Sequence, residues 1–192
     1  MKQLKRIAVF CGSSTGTDPI YMEEASKLGT LLAERGIGLV YGGAQVGCMG
    51  AVANACLAAG GEVIGVIPEK LMNVELAHSG LTEQHVVKTM HERKAMMADL
   101  SDAFIALPGG AGTLEEWFEV FTWSQLGYHY KPCSFLNVNN FYQPLLQMMK
   151  HTVDQGFMRP AYQDLIISES NATVLLQRLE TFKPLEISKW GN

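Results

Sequence analysis

Leu107-Pro108-Gly109-Gly110-Ala111-Gly112-Thr113-Leu114-Glu115-Glu116 joins two kinds of sequence pattern. Before it, residues 103–107 form a continuous apolar run that reads as a buried strand stopped by Pro108. After it, residues 114–127 are apolar-rich and long enough for a helix. A strand, a glycine-rich turn and a helix together aim unpaired backbone N–H groups at an anion. Gly109, Gly110 and Gly112 carry no Cβ, so a phosphate can approach the main chain there. Glu115 and Glu116 enter in the first helical turn, so a carboxylate stands beside the anion site. The same residues also fit a capping box, with Thr113 as N-cap and Glu116 at N3. A cap alone requires none of the three glycines.

The alternation continues outward in both directions. Residues 7–10, 37–41 and 62–67 are apolar runs that read as strands. Between them lie two helical patterns, one opening at Asp18-Pro19 and ending at Gly36, the other over residues 49–59. In the first of these, Glu23 and Lys27 have the spacing of an i,i+4 pair. Residues 69–80 read as a polar flap, 85–88 as a short strand and 90–100 as a helix. Beyond the central motif come a strand at 134–138, a helix at 141–155, a strand at 165–167 and a last helix capped by Ser170 or Asn171. Strands alternating with helices specify a doubly wound, Rossmann-like α/β fold, a parallel sheet with helices on both faces. Residues 1–192 read as one domain, with 184–192 as a loose tail.

Composition narrows the function. Of 192 residues, 47% are hydrophobic and 18% charged, enough for a sizeable core. A net charge of −4 without a basic block argues against a nucleic-acid partner, and no apolar run reaches membrane-spanning length. The basic start is followed by only five apolar residues before Gly12, too few for a signal peptide. Cys11, Cys48, Cys56 and Cys133 are scattered in apolar contexts, which predicts reduced core thiols in a cytoplasmic protein.

Ligands of such sheets bind beyond the carboxyl ends of the strands. Three turns there have anion-binding character: Gly12-Ser13-Ser14, Gly42-Gly43 and residues 109–113. None makes a dinucleotide fingerprint, and no P-loop motif is present. Arg93 shares a helical face with Met90, Met97 and Leu100, so it sits on an inward stripe and needs an anionic partner, either an internal carboxylate or a ligand. Lys94, one step round, offers a second positive charge. His91 reads as a capping or supporting residue. His78, His85, His129 and His151 have no metal-ligand spacing, so neither metal nor cofactor is expected. Residues 114–123 are apolar almost all round, which predicts burial on a second side, as against a partner subunit.

Four segments in order resemble the Lonely Guy family. Residues 108–116 match its P-G-G-x-G-T-x-x-E motif, and Met90-His91-Glu92-Arg93-Lys94 resembles its M-H-x-R-K segment. Phe10-Cys11-Gly12-Ser13-Ser14 and Tyr41-Gly42-Gly43, followed by Gly47 and Met49-Gly50, resemble its two upstream turns. The resemblance implies a cytokinin-activating phosphoribohydrolase, which cleaves the N-glycosidic bond of N6-modified adenosine 5′-monophosphates to free base and ribose 5-phosphate; some relatives also cleave AMP. It implies a homodimer with sites near the interface. By position it makes Arg93 and Glu116 the catalytic pair. It lines the nucleotide site with Glu75, Lys94, Gly109, Gly110, Ala111, Gly112, Thr113, Leu114 and Glu115, beside Gly12, Ser13, Gly42 and Gly43 of the upstream turns. Ala44, where a third glycine is common, and Cys48, where leucine is common, depart from the pattern. The lysine decarboxylase label often attached to the family finds no support, since no lysine has a recognisable pyridoxal-phosphate setting.

Overall fold

A computed structural model describes residues 4–72 and 77–184. In chain order its elements are β1 (Arg6–Phe10), α1 (Ile20–Glu34), β2 (Gly38–Tyr41), α2 (Gly47–Ala58), β3 (Val63–Pro68), β4 (Glu83–Val87), α3 (Met90–Leu100), β5 (Ala103–Ala106), α4 (Ala111–Gln125), β6 (Cys133–Leu136), α5 (Gln143–Asp154), α6 (Pro160–Gln163), β7 (Ile166–Glu169) and α7 (Ala172–Glu180). Short 3-10 turns occupy Glu69–Leu71 and Val138–Asn140.

The seven strands form one sheet in the order β4-β3-β2-β1-β5-β6-β7, and every pairing is parallel. The chain winds outward from β1 to β4, crosses back to β5 beside β1, and winds outward again. The doubly wound expectation is met, and the direction of winding reverses between β1 and β5.

Strand residues alternate between two cores, as the period of two requires. Ile7, Val9, Ile105 and Leu107 pack with Leu28, Leu32, Val52 and Leu175 of α1, α2 and α7. Ala8, Phe10, Phe104 and Ala106 pack with Met97, Trp117, Phe121 and Met149 of α3, α4 and α5. The central strands are buried on both sides, which is why they read as unbroken apolar runs. α1 and α2 lie unusually close: a Cβ on Gly29 would stand 2.2 Å from the Val52 carbonyl oxygen. At the amino end of α2, a Cβ on Gly47 would stand 2.4 Å from Ser13 O, so this helix end sits against the turn after β1.

Some local expectations are corrected. Lys27 pairs with Glu24 at 2.6 Å, not with Glu23. Pro19, not Asp18, takes the N-cap position of α1, and Asp18 Oδ1 accepts from Ile20 N at 3.0 Å just ahead of it. The four cysteines are buried and free, as read. The tail expected over 184–192 lies, beyond Pro184, outside the described residues.

Candidate active site

The switch point carries the site. Gly12 N donates to Pro108 O at 3.2 Å, so the turns after β1 and β5 touch through their backbones. A Cβ on Gly12 would lie 3.3 Å from Gly109 Cα, and one on Gly109 would lie 2.8 Å from Gly12 N. Only glycine lets the two turns close to this distance.

α4 begins at Ala111, with Gly110 at the N-cap position and no side-chain cap. The capping box at Thr113 is therefore not formed. Thr113 is instead the third helical residue, and its buried Oγ1 abuts Gly109. The correction matters chemically, because Gly110 at the N-cap position offers the first-turn N–H groups of α4 no side-chain acceptor at a positive helix end. The capping pattern is realised at Thr89-Met90-His91-Glu92. Thr89 Oγ1 accepts from Glu92 N at 3.1 Å, and Glu92 Oε2 accepts from Lys88 N at 2.8 Å. His91 is exposed and takes no part in those two bonds.

A cleft of about 250 Å³ opens at this point, with Gly12, Ser13, Gly42, Gly110, Gly112, Thr113, Glu115 and Glu116 on its walls and Arg93, Met49, Met90 and Leu71 completing them. Arg93 is buried. Its Nη2 donates to Gly42 O at 3.2 Å, its Nη1 stands 3.9 Å from Met90 Sδ, and its Nε has no hydrogen-bond partner among the described residues. A guanidinium holding one carbonyl retains donor capacity for a ligand. Both charges bear on the Cys11 thiol. Burial chiefly, then Cys48 and Glu116, push its thiol well above the ordinary range, while Arg93 pulls the other way. Arg93 and Glu116 thus act on one buried point beside Gly12.

Lys94 has a different surrounding. Its ammonium bonds Glu115 at 2.6 Å and Glu119 at 3.1 Å, tying α3 to α4. Burial works against this charge, yet the two carboxylates outweigh it and hold its pKa above the ordinary value. Gly43 lies at the same strand end as Gly42, with φ +81°. Gly109 sits on the far side of the Gly12 ridge, in a second hollow with Ser14, Tyr21 and Phe141. Ala111 is exposed and Leu114 partly buried in the first turn of α4. Glu75 lies outside the described residues. His78, which spacing left unassigned, is buried and bonded next to the Gly42-Gly43 turn.

Residues 49–179 match the family described as possible lysine decarboxylase. A cytokinin riboside 5′-monophosphate phosphoribohydrolase of Rhodococcoides fascians is 54% identical over 164 residues, covering 85% of this chain and 83% of that protein. One from Arabidopsis thaliana is 50% identical over 182 residues, 95% and 84% of the two chains. The chain belongs to the Lonely Guy family. Among solved structures, the molybdenum cofactor binding protein of Rippkaea orientalis superposes with a TM-score of 0.72 at 22% identity, over 94% of this chain and 98% of that one. The Moco carrier protein of Chlamydomonas reinhardtii gives 0.70 at 21%, over 93% and 97%. At such identities these two neighbours speak for the Rossmann-like fold of this Lonely Guy protein alone.

Proposed function

We propose that this protein hydrolyses the N-glycosidic bond of N6-modified adenosine 5′-monophosphates, releasing free base and ribose 5-phosphate. The observation that carries the reading is the convergence, in one cleft, of an uncapped helix N-terminus, an arginine with unused donors and a glutamate. The 5′-phosphate sits at the amino end of α4, where Gly110 and Gly112 have open space in place of a side chain. The ribose then lies over Arg93 and Glu116. As the C1′–N9 bond breaks, its electron pair leaves with the base and positive charge grows on the sugar. Glu116 stabilises that charge or orients the water that adds to C1′, the proton the water loses passing to the departing base, and Arg93 fixes the ribose by its hydroxyls. Lys94 and Glu115 act at one remove, by holding α4 against α3.

The test is incubation with AMP and with its N6-isopentenyl analogue, following base and ribose 5-phosphate separately. Both products in equal amounts from at least one substrate are expected. Binding without base release would instead favour a nucleotide carrier, and inertness toward both would remove the reading.

The protein acts as a homodimer in the cytoplasm, on a small nucleotide and not on nucleic acid or membrane. Val86 on the edge strand β4, 46% exposed, and Met90 on the cleft wall, 41% exposed, favour a partner surface. Four buried free thiols suit a reducing compartment. No helix among the described residues is long and apolar enough to cross a membrane. Sedimentation equilibrium at micromolar protein checks the dimer: a monomer mass would remove it.

A further inference from the structure

Two glycines carry the contact that holds Arg93. Gly42 O receives its Nη2, and Gly43, at φ +81°, follows directly. A glycine pair has wide conformational freedom, so a turn made of one keeps its shape only when its neighbours impose it. Gly42 is hemmed by Arg93 itself and by Met49, and Gly43 by Ile67. A further constraint comes from residues 77–80. Ala77 bridges Ala44 in antiparallel fashion, and His78 N donates to Gly43 O at 2.9 Å. Consecutive carbonyls of one turn are therefore claimed from opposite sides, the first by Arg93 and the second by His78.

The His78 side chain explains why this strap holds its place. The ring is buried at 8% exposure. Its Nδ1 accepts from Gly80 N at 3.0 Å, so Nε2 carries the proton and donates to Asn54 Oδ1 of α2 at 2.9 Å. One bond folds the strap on itself and the other ties it to the helix that follows the glycine turn. A buried ring with both nitrogens used in this way is set in one tautomer and one orientation. Residues that sequence alone presents as a polar flap thus include a rivet between α2 and the turn beneath Arg93.

We propose that His78 is a positioning residue for Arg93: by pinning the Gly43 carbonyl it sets the Gly42 carbonyl that aims the guanidinium into the cleft. This rests on the reading of Arg93 as the group that orders the sugar during bond cleavage. The phosphate grip at α4 lies on another element, so loss of His78 acts on turnover and spares binding.

The experiment measures kcat and KM with the better of the two nucleotides, together with melting temperature, for His78→Ala, His78→Asn and Arg93→Lys. His78→Ala is expected to lower kcat by about tenfold or more with KM changed by less than about threefold, the signature of a misplaced catalytic group. His78→Asn restores most of that turnover, because its Oδ1 can accept the N–H two residues on and refold the strap. Wild-type kcat in a folded His78→Ala protein, a loss confined to KM, or no recovery with Asn overturns the proposal. Should His78→Ala not fold, Asn54→Ala removes the tether from an exposed position, and a kcat equal to wild type there has the same force. Unchanged turnover in Arg93→Lys would refute the reading of Arg93; a loss there with none at His78 would refute the positioning role alone.

Discussion

Arg93 and Lys94 are consecutive cations on one helix, and the fold gives them opposite surroundings. Both are buried, at 6% and 8% exposure. A step of 100° round α3 points one at the glycine turn after β2 and the other at α4. Arg93 meets a carbonyl and a thioether, and its Nε has no partner among the described residues. Lys94 meets two carboxylates one helical turn apart, Glu115 and Glu119. The lesson is that burial of a charge says little about its use until its partners are known. A buried cation matched by protein carboxylates is a tether, and one left with spare donors at a cleft is available to a ligand.

The sharpest way to break this contrast is at the cleft. Arg93→Lys keeps the charge but loses the planar fork, and Glu116→Gln keeps the shape but loses the charge. Each is expected to lower kcat by on the order of a hundredfold, with circular dichroism and melting unchanged. If Arg93→Lys turned over normally while Lys94→Met did not, the two roles would have to be exchanged.

Lys94→Met tests the other side. The methionine fills the stem's volume but strands Glu119, which is 23% exposed and has a buried Oε2 with no hydrogen-bond partner among the described residues. A loss of about 1–3 kcal/mol in denaturant unfolding is expected, since removing one member of a largely buried pair leaves the other uncompensated. Turnover at 25 °C should fall far less than in Arg93→Lys, because Lys94 reaches the cleft only through Glu115 on its wall.

Which parts of this were legible in the sequence follows from the range of each signal. The sheet was, because strands buried on both faces leave unbroken apolar runs, and so were the three turns at its carboxyl edge. Arg93 was visible as a charge interrupting an inward stripe. The pairing of Lys94 was not legible because its partners, Glu115 and Glu119, sit on another helix; only the docking of α4 on α3 unites them. The start of α4 was misplaced for a related reason. Thr89 and Thr113 both open an S/T-x-x-E pattern, and the contact of Thr113 with Gly109 decides which one caps. His78 carries no motif, and its importance arises from a backbone bond to Gly43. Short helix α6, with four residues, is below the length at which periodicity can register.

A smaller effect sharpens the ligand-facing side. Gly112 has open space where a Cβ would stand, and Gly109 does not: its Cβ would collide with Thr113 Oγ1 and Gly12 N. Gly112→Ala should fold normally and raise KM by about tenfold, the worth of one charge-assisted hydrogen bond to the phosphate. Gly109→Ala should also lower the melting temperature, because two turns must part. An unchanged KM in Gly112→Ala would mean that the anion does not rest on this helix end.

The smallest expected effect tests the Lys94 tether by pH. Lys94 is held above its ordinary value of 10.5, burial opposing its charge and the bonds to Glu115 and Glu119 prevailing. A raised folded-state pKa means that folding binds the proton more tightly than the unfolded chain does. The contribution is therefore complete below pH 10.5 and fades as pH climbs from there through the folded-state value. The stability gap between wild type and Lys94→Met should be flat from neutrality to about pH 9.5 and narrow only above that ordinary value. Subtracting the variant cancels every other alkaline titration, including that of the remaining lysines. A gap at Lys94 that closed already near neutrality would show that the two carboxylates do not hold this ammonium, and the tether would lose its physical basis.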